Sequence, residues 1–184
     1  TSDDTDGYER AKIQWGTSLC YPLSAMSCHV SACPNHQTGR TTPLFTRGAI
    51  ASLGASGYEL NVSALSNEEK NACKEQITVY RKISDLVLRG DLFRLIDPFS
   101  ENCFCEMIVS KDKRCAYVVG EQLRAMPLPN TRFVKLVGLA EGKRYHIEEL
   151  NIVASGKTLA SVGVALPKLG DYESFIWHIE EVKI

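Results

Sequence analysis

Apolar residues recur at helical spacing along the first half of the chain and at strand spacing along the second. Tyr8, Ala11, Trp15 and Leu19 stand three and four residues apart, which predicts one face of a helix closed off by Pro22. Thr5 or Asp6 can cap that helix, with Glu9 in capping-box register to Asp6. The small and apolar run 26–33, before the turn at Pro34-Asn35, fits a buried strand and a loop. Leu44 to Leu53 reads as a second helix, interrupted by Gly54 and Gly57. The clearest element is a long helix over 66–89. Ser66 and Glu69 form its capping box, Cys73, Ile77, Tyr80 and Val87 form a stripe with Ile83 beside it, and Gly90 ends it.

After Gly90 the period becomes two. Strands are expected at 91–96, 103–109, 114–119, 132–137, 143–147, 161–166 and 174–182, separated by turn residues such as Glu141-Gly142 and Gly170-Asp171. The expected class is α+β, with a helical part over 1–90 and an antiparallel β-sandwich over 91–184. No flexible linker separates them, so the long helix should pack against both.

Composition narrows the function. With 44% hydrophobic and 23% charged residues the chain is an ordinary globular sequence. A net charge of −1 gives no electrostatic case for nucleic acid or an anionic membrane, and no apolar run is long enough to span a bilayer. Seven cysteines, an odd number without framework spacing, argue for reduced thiols and a cytoplasmic setting.

Four features could carry chemistry. The opening Thr1-Ser2-Asp3-Asp4-Thr5-Asp6 runs straight into the first helix, as a strand-to-helix loop does. Such loops hold the catalytic groups of barrel enzymes, although acids there also serve as helix caps. The chain therefore reads as the back portion of a larger enzyme, cut near its active site. Cys28, His29, Cys33 and His36 are possible zinc ligands, but they lack the second knuckle of a structural site. Cys103 and Cys105 alternate on a strand and suit buried packing better than a metal or redox pair. Trp15 and Trp177 could stack on sugars, yet both sit on core-like patterns. The Asn61-Val62-Ser63 sequon means little in a cytoplasmic protein.

Several stretches together resemble the carboxy-terminal third of bacterial α-galactosidases, or melibiases, of glycoside hydrolase family 36. They are Thr1–Asp6, Glu9-Arg10-Ala11-Lys12-Ile13-Gln14, Gly16–Met26, His29-Val30-Ser31-Ala32 and Pro34–Pro43, with weaker support from Gly57-Tyr58-Glu59-Leu60, Gly170–Ser174 and Trp177-His178. The resemblance implies the C-terminal end of a (β/α)8 barrel, here mainly helices plus the strand at 26–33, followed by an antiparallel β-sandwich. It implies retaining hydrolysis of terminal α-linked galactose in melibiose, raffinose and stachyose. Asp3 matches the family's acid/base, and Ser2 and Asp4 match its supporting neighbours. The family nucleophile follows a Lys-Trp pattern that this chain lacks, so the chain alone should be inactive. No metal or cofactor is implied, and a homo-oligomer, possibly a tetramer, is expected. The alternative is a non-catalytic carbohydrate-binding or scaffolding β-sandwich module, which would need an exposed aromatic platform on one sheet face.

Overall fold

The computed structural model describes residues 3–127 and 131–182. Asp6 caps α1 (Gly7–Ser18) by accepting from the Tyr8 N–H at 3.3 Å. Glu9 does not close the expected box and instead lies 4.0 Å from Arg40. The helix buries Ala11 and Trp15, as its spacing predicts, but Leu19 is 67% exposed. Leu19 lies past the last helical turn, and the buried face is completed by the polar residues Arg10, Gln14 and Ser18. These are satisfied from within. Arg10 donates to the Ser27 carbonyl at 3.2 Å, and Gln14 donates to that of Ile50 at 2.8 Å.

The next three elements are β1 (Ser27–Ser31), α2 (Leu44–Ala51) and β2 (Ala55–Glu59). The strands pair in parallel, Ser27 opposite Ala55 and Ser31 opposite Glu59, with α2 as the crossover. Where one strand was expected, there are two. Gly54 and Gly57 read as interruptions, but they belong to this second strand and its approach. A Cβ at Gly54 would stand 2.6 Å from Cys28 Sγ, so only glycine lets the turn out of α2 close on β1. The long helix α3 (Asn67–Arg89) has both arms of its capping box, at 3.2 and 2.9 Å. Cys73, Ile83 and Val87 are buried as its stripe requires, whereas Ile77 stays exposed.

The second half is built on one antiparallel sheet. Its strands are β3 (Asp91–Ile96), β4 (Cys103–Val109), β5 (Cys115–Gln122), β7 (Arg144–Ile147), β8 (Ile152–Ser155) and β10 (Glu173–Glu181), in the order β3-β4-β5-β10-β7-β8. A separate ribbon pairs β6 (Phe133–Val134) with β9 (Val164–Ala165). The strands expected at 132–137 and 161–166 shrink to these short pieces. Two elements went unpredicted: β8 and the short helix α4 (Gly156–Ser161), which takes up the start of the latter run.

Every residue of β4 is buried, because the sheet is covered on both faces. Phe104, Ile108, Tyr117 and Val119 pack with Trp15, Ile50, Ile83 and Val87 of the helices. Cys105, Met107, Val118 and Trp177 pack on the other side with Val134, Leu136, Leu159 and Val164. The long helix thus touches both halves, as expected. Among the described residues no helix is long and apolar enough to cross a membrane.

Two acids lie in the helix-facing layer. Glu106 and Glu121 are buried, and their carboxyl oxygens have no hydrogen-bond partner among the described residues. Arg94, directly opposite Glu106, spends its guanidinium on Ser18, donating to its hydroxyl at 2.8 Å and to its carbonyl. Burial pushes both acids up to about 8, against the opposing pull of Arg94 on Glu106 and of Arg40 and Lys12 on Glu121. The unfolded chain ionises them near 4.5. Their cost to folding is therefore absent below that pH, grows by ~1.4 kcal/mol per unit above it, and levels off past about 8. Glu106→Gln and Glu121→Gln should each stabilise the protein by at least ~1 kcal/mol at about pH 8 and change it little at about pH 4. Thermal unfolding across that range checks this, and an equal effect at both ends would refute it.

Candidate active site

Parallel pairing places the C-terminal ends of β1 and β2 at one edge, where Ser31 faces Glu59. The loop 32–43 leaves from that edge, and the segment 3–6 that enters α1 is stitched to it. Ser31 Oγ donates to the Thr5 carbonyl at 2.7 Å, and Asn35 Nδ2 donates to Thr5 Oγ1 at 3.1 Å. Thr38 Oγ1 donates to Asp6 Oδ2 at 3.0 Å, and Arg40 Nη1 donates to the same oxygen. Asn35 in turn holds its own loop, its Oδ1 accepting from the N–H groups of Gln37 and Thr38 at 2.9 and 3.0 Å. Arg47, buried at the start of α2, donates to the carbonyls of Ser31 and Thr42. A loop of small polar residues is thereby fixed without a hydrophobic core of its own.

The opening acids divide by role. The Asp6 side chain is fully buried and serves as cap and anion for Arg40. Asp4 is half-buried and its Oδ1 accepts from the Asp6 N–H at 2.9 Å, which shapes the turn into the helix. Asp3 is exposed at this edge. Ser2 lies outside the described residues.

The four thiol and imidazole groups of 28–36 do not converge. Alternation along β1 sends Cys28 and His29 to opposite faces. Cys28 is buried beside the Leu53 carbonyl, and desolvation pushes its thiol up to about 11, away from a metal-binding thiolate. His29 bridges Ser27 Oγ at 2.9 Å and Glu59 at 3.0 Å, while Cys33 and His36 are exposed. Glu148, Glu149 and His178 do gather, but His178 Nδ1 is already paired with Glu149 at 2.5 Å. Cys103 and Cys105 are buried strand residues with raised pKa values, desolvation being the main cause in each. Trp15 and Trp177 are core side chains, edge-on to Phe104 at 5.9 Å and tilted on Phe175 at 4.5 Å.

A cavity of about 480 Å³ lies between α2, α3 and the sheet, lined by Phe45, Ala49, Tyr58, Tyr80 and Tyr117 among others. None of its walls comes from the loops around Asp3, and its lining is mostly apolar. It is not the site to which the polar loops converge.

Sequence reading missed Arg40 and Thr38, whose partners are distant in the chain, and Arg47, whose targets are carbonyls. The only available signal was a loop of Asn, Gln, Thr and Gly followed by two arginines.

Two family models match the chain, Melibiase over residues 1–90 and the glycosyl hydrolase family 36 C-terminal domain over residues 104–179. Both describe glycoside hydrolases. The chain belongs to glycoside hydrolase family 36. It is 42% identical over its full length to alpha-galactosidase AgaA of Geobacillus stearothermophilus, of which it covers 25%. It is 43% identical over 99% of its length to the bifunctional alpha-galactosidase/sucrose kinase AgaSK of Mediterraneibacter gnavus, of which it covers 20%. A crystal structure of an AgaA variant in complex with raffinose superposes with a TM-score of 0.96 at 42% identity, covering 99% of this chain and 25% of that one. The chain thus spans a quarter or less of the length of these relatives.

The joint of Asp6 with Arg40 and Thr38 should matter to stability. Asp6→Ala removes a helix cap and leaves Arg40 without its buried anion, and should cost about 2–3 kcal/mol. Asp6→Asn keeps a capping oxygen and should cost roughly half as much. Urea unfolding of both variants gives the comparison.

Proposed function

We propose that this chain is the C-terminal part of a retaining α-galactosidase that releases terminal α-linked galactose from galactosides such as melibiose, raffinose and stachyose. Residues 1–90 are read as the last segment of its (β/α)8 catalytic barrel, with α3 packing that segment against the rest. Residues 91–184 are read as its C-terminal β-sandwich domain, with Gly90 as the joint. The relatives support this: both family models divide near that joint, and AgaA variants have been crystallised with raffinose and with stachyose.

The observation that carries the reading is the position of Asp3. It is an exposed carboxylate at the C-terminal edge of two parallel strands, on a segment whose following residues are fixed by the adjacent loop. Catalytic groups of barrel enzymes sit at that edge. In the reaction Asp3 acts twice. As an acid it gives its proton to the departing glycosidic oxygen while a nucleophilic carboxylate attacks the anomeric carbon. As a base it then takes a proton from the water that releases galactose with retained configuration. Asp4 shapes the turn that presents it, and Ser2 precedes it in the sequence as the family's supporting neighbour. The nucleophile belongs to a part of the enzyme outside this chain, so the chain alone is inactive. The reaction as written draws on no cofactor. We place the enzyme in the cytoplasm, on the strength of its seven unpaired cysteines, and expect it to act as a homo-oligomer, possibly a tetramer. A carbohydrate-binding module is the poorer reading, because both tryptophans are spent in the core.

In the longer enzyme carrying this segment, Asp3→Ala should lower raffinose turnover about 10²–10⁴-fold. It should spare an aryl α-galactoside with a good leaving group in its first step, and azide should speed release of the galactosyl group. Unchanged raffinose turnover would refute the assignment. Turnover of the aryl substrate by this chain alone would refute its inactivity.

A further inference from the structure

The turn 170–173 belongs to the antiparallel half of the molecule, yet it reaches the loops around Asp3. Tyr172 has φ 61, a left-handed conformation that bulky side chains rarely adopt. Three bonds hold the turn there. The Tyr172 N–H donates to the Gln122 carbonyl at 2.8 Å, the Ala125 N–H donates to Asp171 Oδ1 at 2.5 Å, and the Gly170 N–H donates to Glu173 Oε2 at 2.8 Å. Glycine would sit in this backbone without strain, so what the tyrosine supplies is its ring.

That ring meets Tyr8 edge-on, with centroids 5.5 Å apart and planes at 78°. The Arg40 guanidinium lies by both rings, 4.4 Å from the centroid of Tyr8 and 5.3 Å from that of Tyr172. Arg40 donates to Asp6, and the Asp6 N–H donates to Asp4 Oδ1. An unbroken path of contacts therefore runs from the end of β5, through Tyr172 and Arg40, to the residue next to Asp3. Arg40 suits this place because a planar cation can stack on rings while its edge binds a carboxylate, which a lysine cannot do.

We infer that Tyr172 and Arg40 are positioning residues, through which the C-terminal β-domain holds the Asp3 segment in register for proton transfer. This rests on the acid/base reading of Asp3 given above. Aromatic stacking and one ion pair keep the segment from drifting, and a displacement of about 1 Å there costs on the order of 10²-fold in rate. A loss of position acts chiefly on substrates that need the proton.

The test uses the longer enzyme and two substrates, raffinose and an aryl α-galactoside whose leaving group departs unprotonated. Tyr172→Gly relieves the left-handed backbone, so it does not threaten folding, and it removes the ring. It should lower kcat/KM on raffinose about tenfold and on the aryl substrate less than about twofold. Arg40→Lys should shift the same ratio in the same direction, and Tyr172→Phe, which keeps the ring, should restore it. A parallel loss on both substrates, or no loss on either, would overturn the inference. Asp3→Ala run alongside separates the two levels. If it spares raffinose turnover, the acid/base reading fails and takes the positioning role with it. If it abolishes raffinose turnover while Tyr172→Gly leaves the ratio unchanged, only the positioning role fails.

Discussion

The six-stranded sheet cannot stand with its helix-facing side bare. Phe104, Ile108, Tyr117 and Val119 form that side, and they are buried by Trp15, Ile50, Ile83 and Val87 from three helices. Each of these residues removes apolar surface worth roughly 1.5–3 kcal/mol on burial. The same cluster takes in Cys28 and Val30 of β1, so the helices tie the parallel pair to the large sheet. The two halves are therefore one folding problem: the helices are the cover of the sheet, and the sheet is the floor of the helices. The positions of α1 and of the loop before it follow from this docking, since Trp15 lies edge-on to Phe104 and fixes how the helix sits.

Polar groups trapped in this layer are treated unequally. Arg10, Gln14 and Arg47 each give their protons to backbone carbonyls, which satisfies the side chain and ties neighbouring segments together. Such bonds set direction as well as energy, because a guanidinium donates only along its plane. Among the described residues Glu106 and Glu121 receive no comparable bonds. Arg94 could have neutralised Glu106 but is committed to Ser18, where it fastens the end of α1 to β3. That attachment places α1 along the sheet, at the cost of a desolvated acid beside it.

Periodicity revealed most of this architecture where one residue type dominated one face. The stripe of α3 and the long strands β4, β5 and β10 are of that kind, and the capping box of α3 marks where that helix starts. The second parallel strand escaped because Gly54 and Gly57 look like breaks, although the first exists to admit Cys28. The helix α4 escaped because Leu159 is its only large buried side chain. At the site, the carboxylate cluster and the family resemblance single out Asp3 for the acid/base role proposed above, and the capping role of Asp6 was legible from its place before a helix. The partners of Asp6 were not. A carboxylate signals that it wants a cation, but spacing along the chain does not say which one.

The choice of Arg40 follows from topology rather than from local pattern. In a parallel βαβ unit the loop after the first strand and the segment entering the preceding helix emerge at one edge, whatever their sequences. A long side chain on that loop can then reach the cap of that helix, as Arg40 reaches Asp6. The return strand β10 enters the sheet beside β5, so the turn before it comes up against the same helix cap and presents Tyr172 to it. Three segments that share no sequence neighbourhood meet because two sheets and one helix leave them a single place to meet. The residues that hold the Asp3 segment are thus consequences of the fold, whereas Asp3 itself stands out in the sequence as a member of a carboxylate cluster.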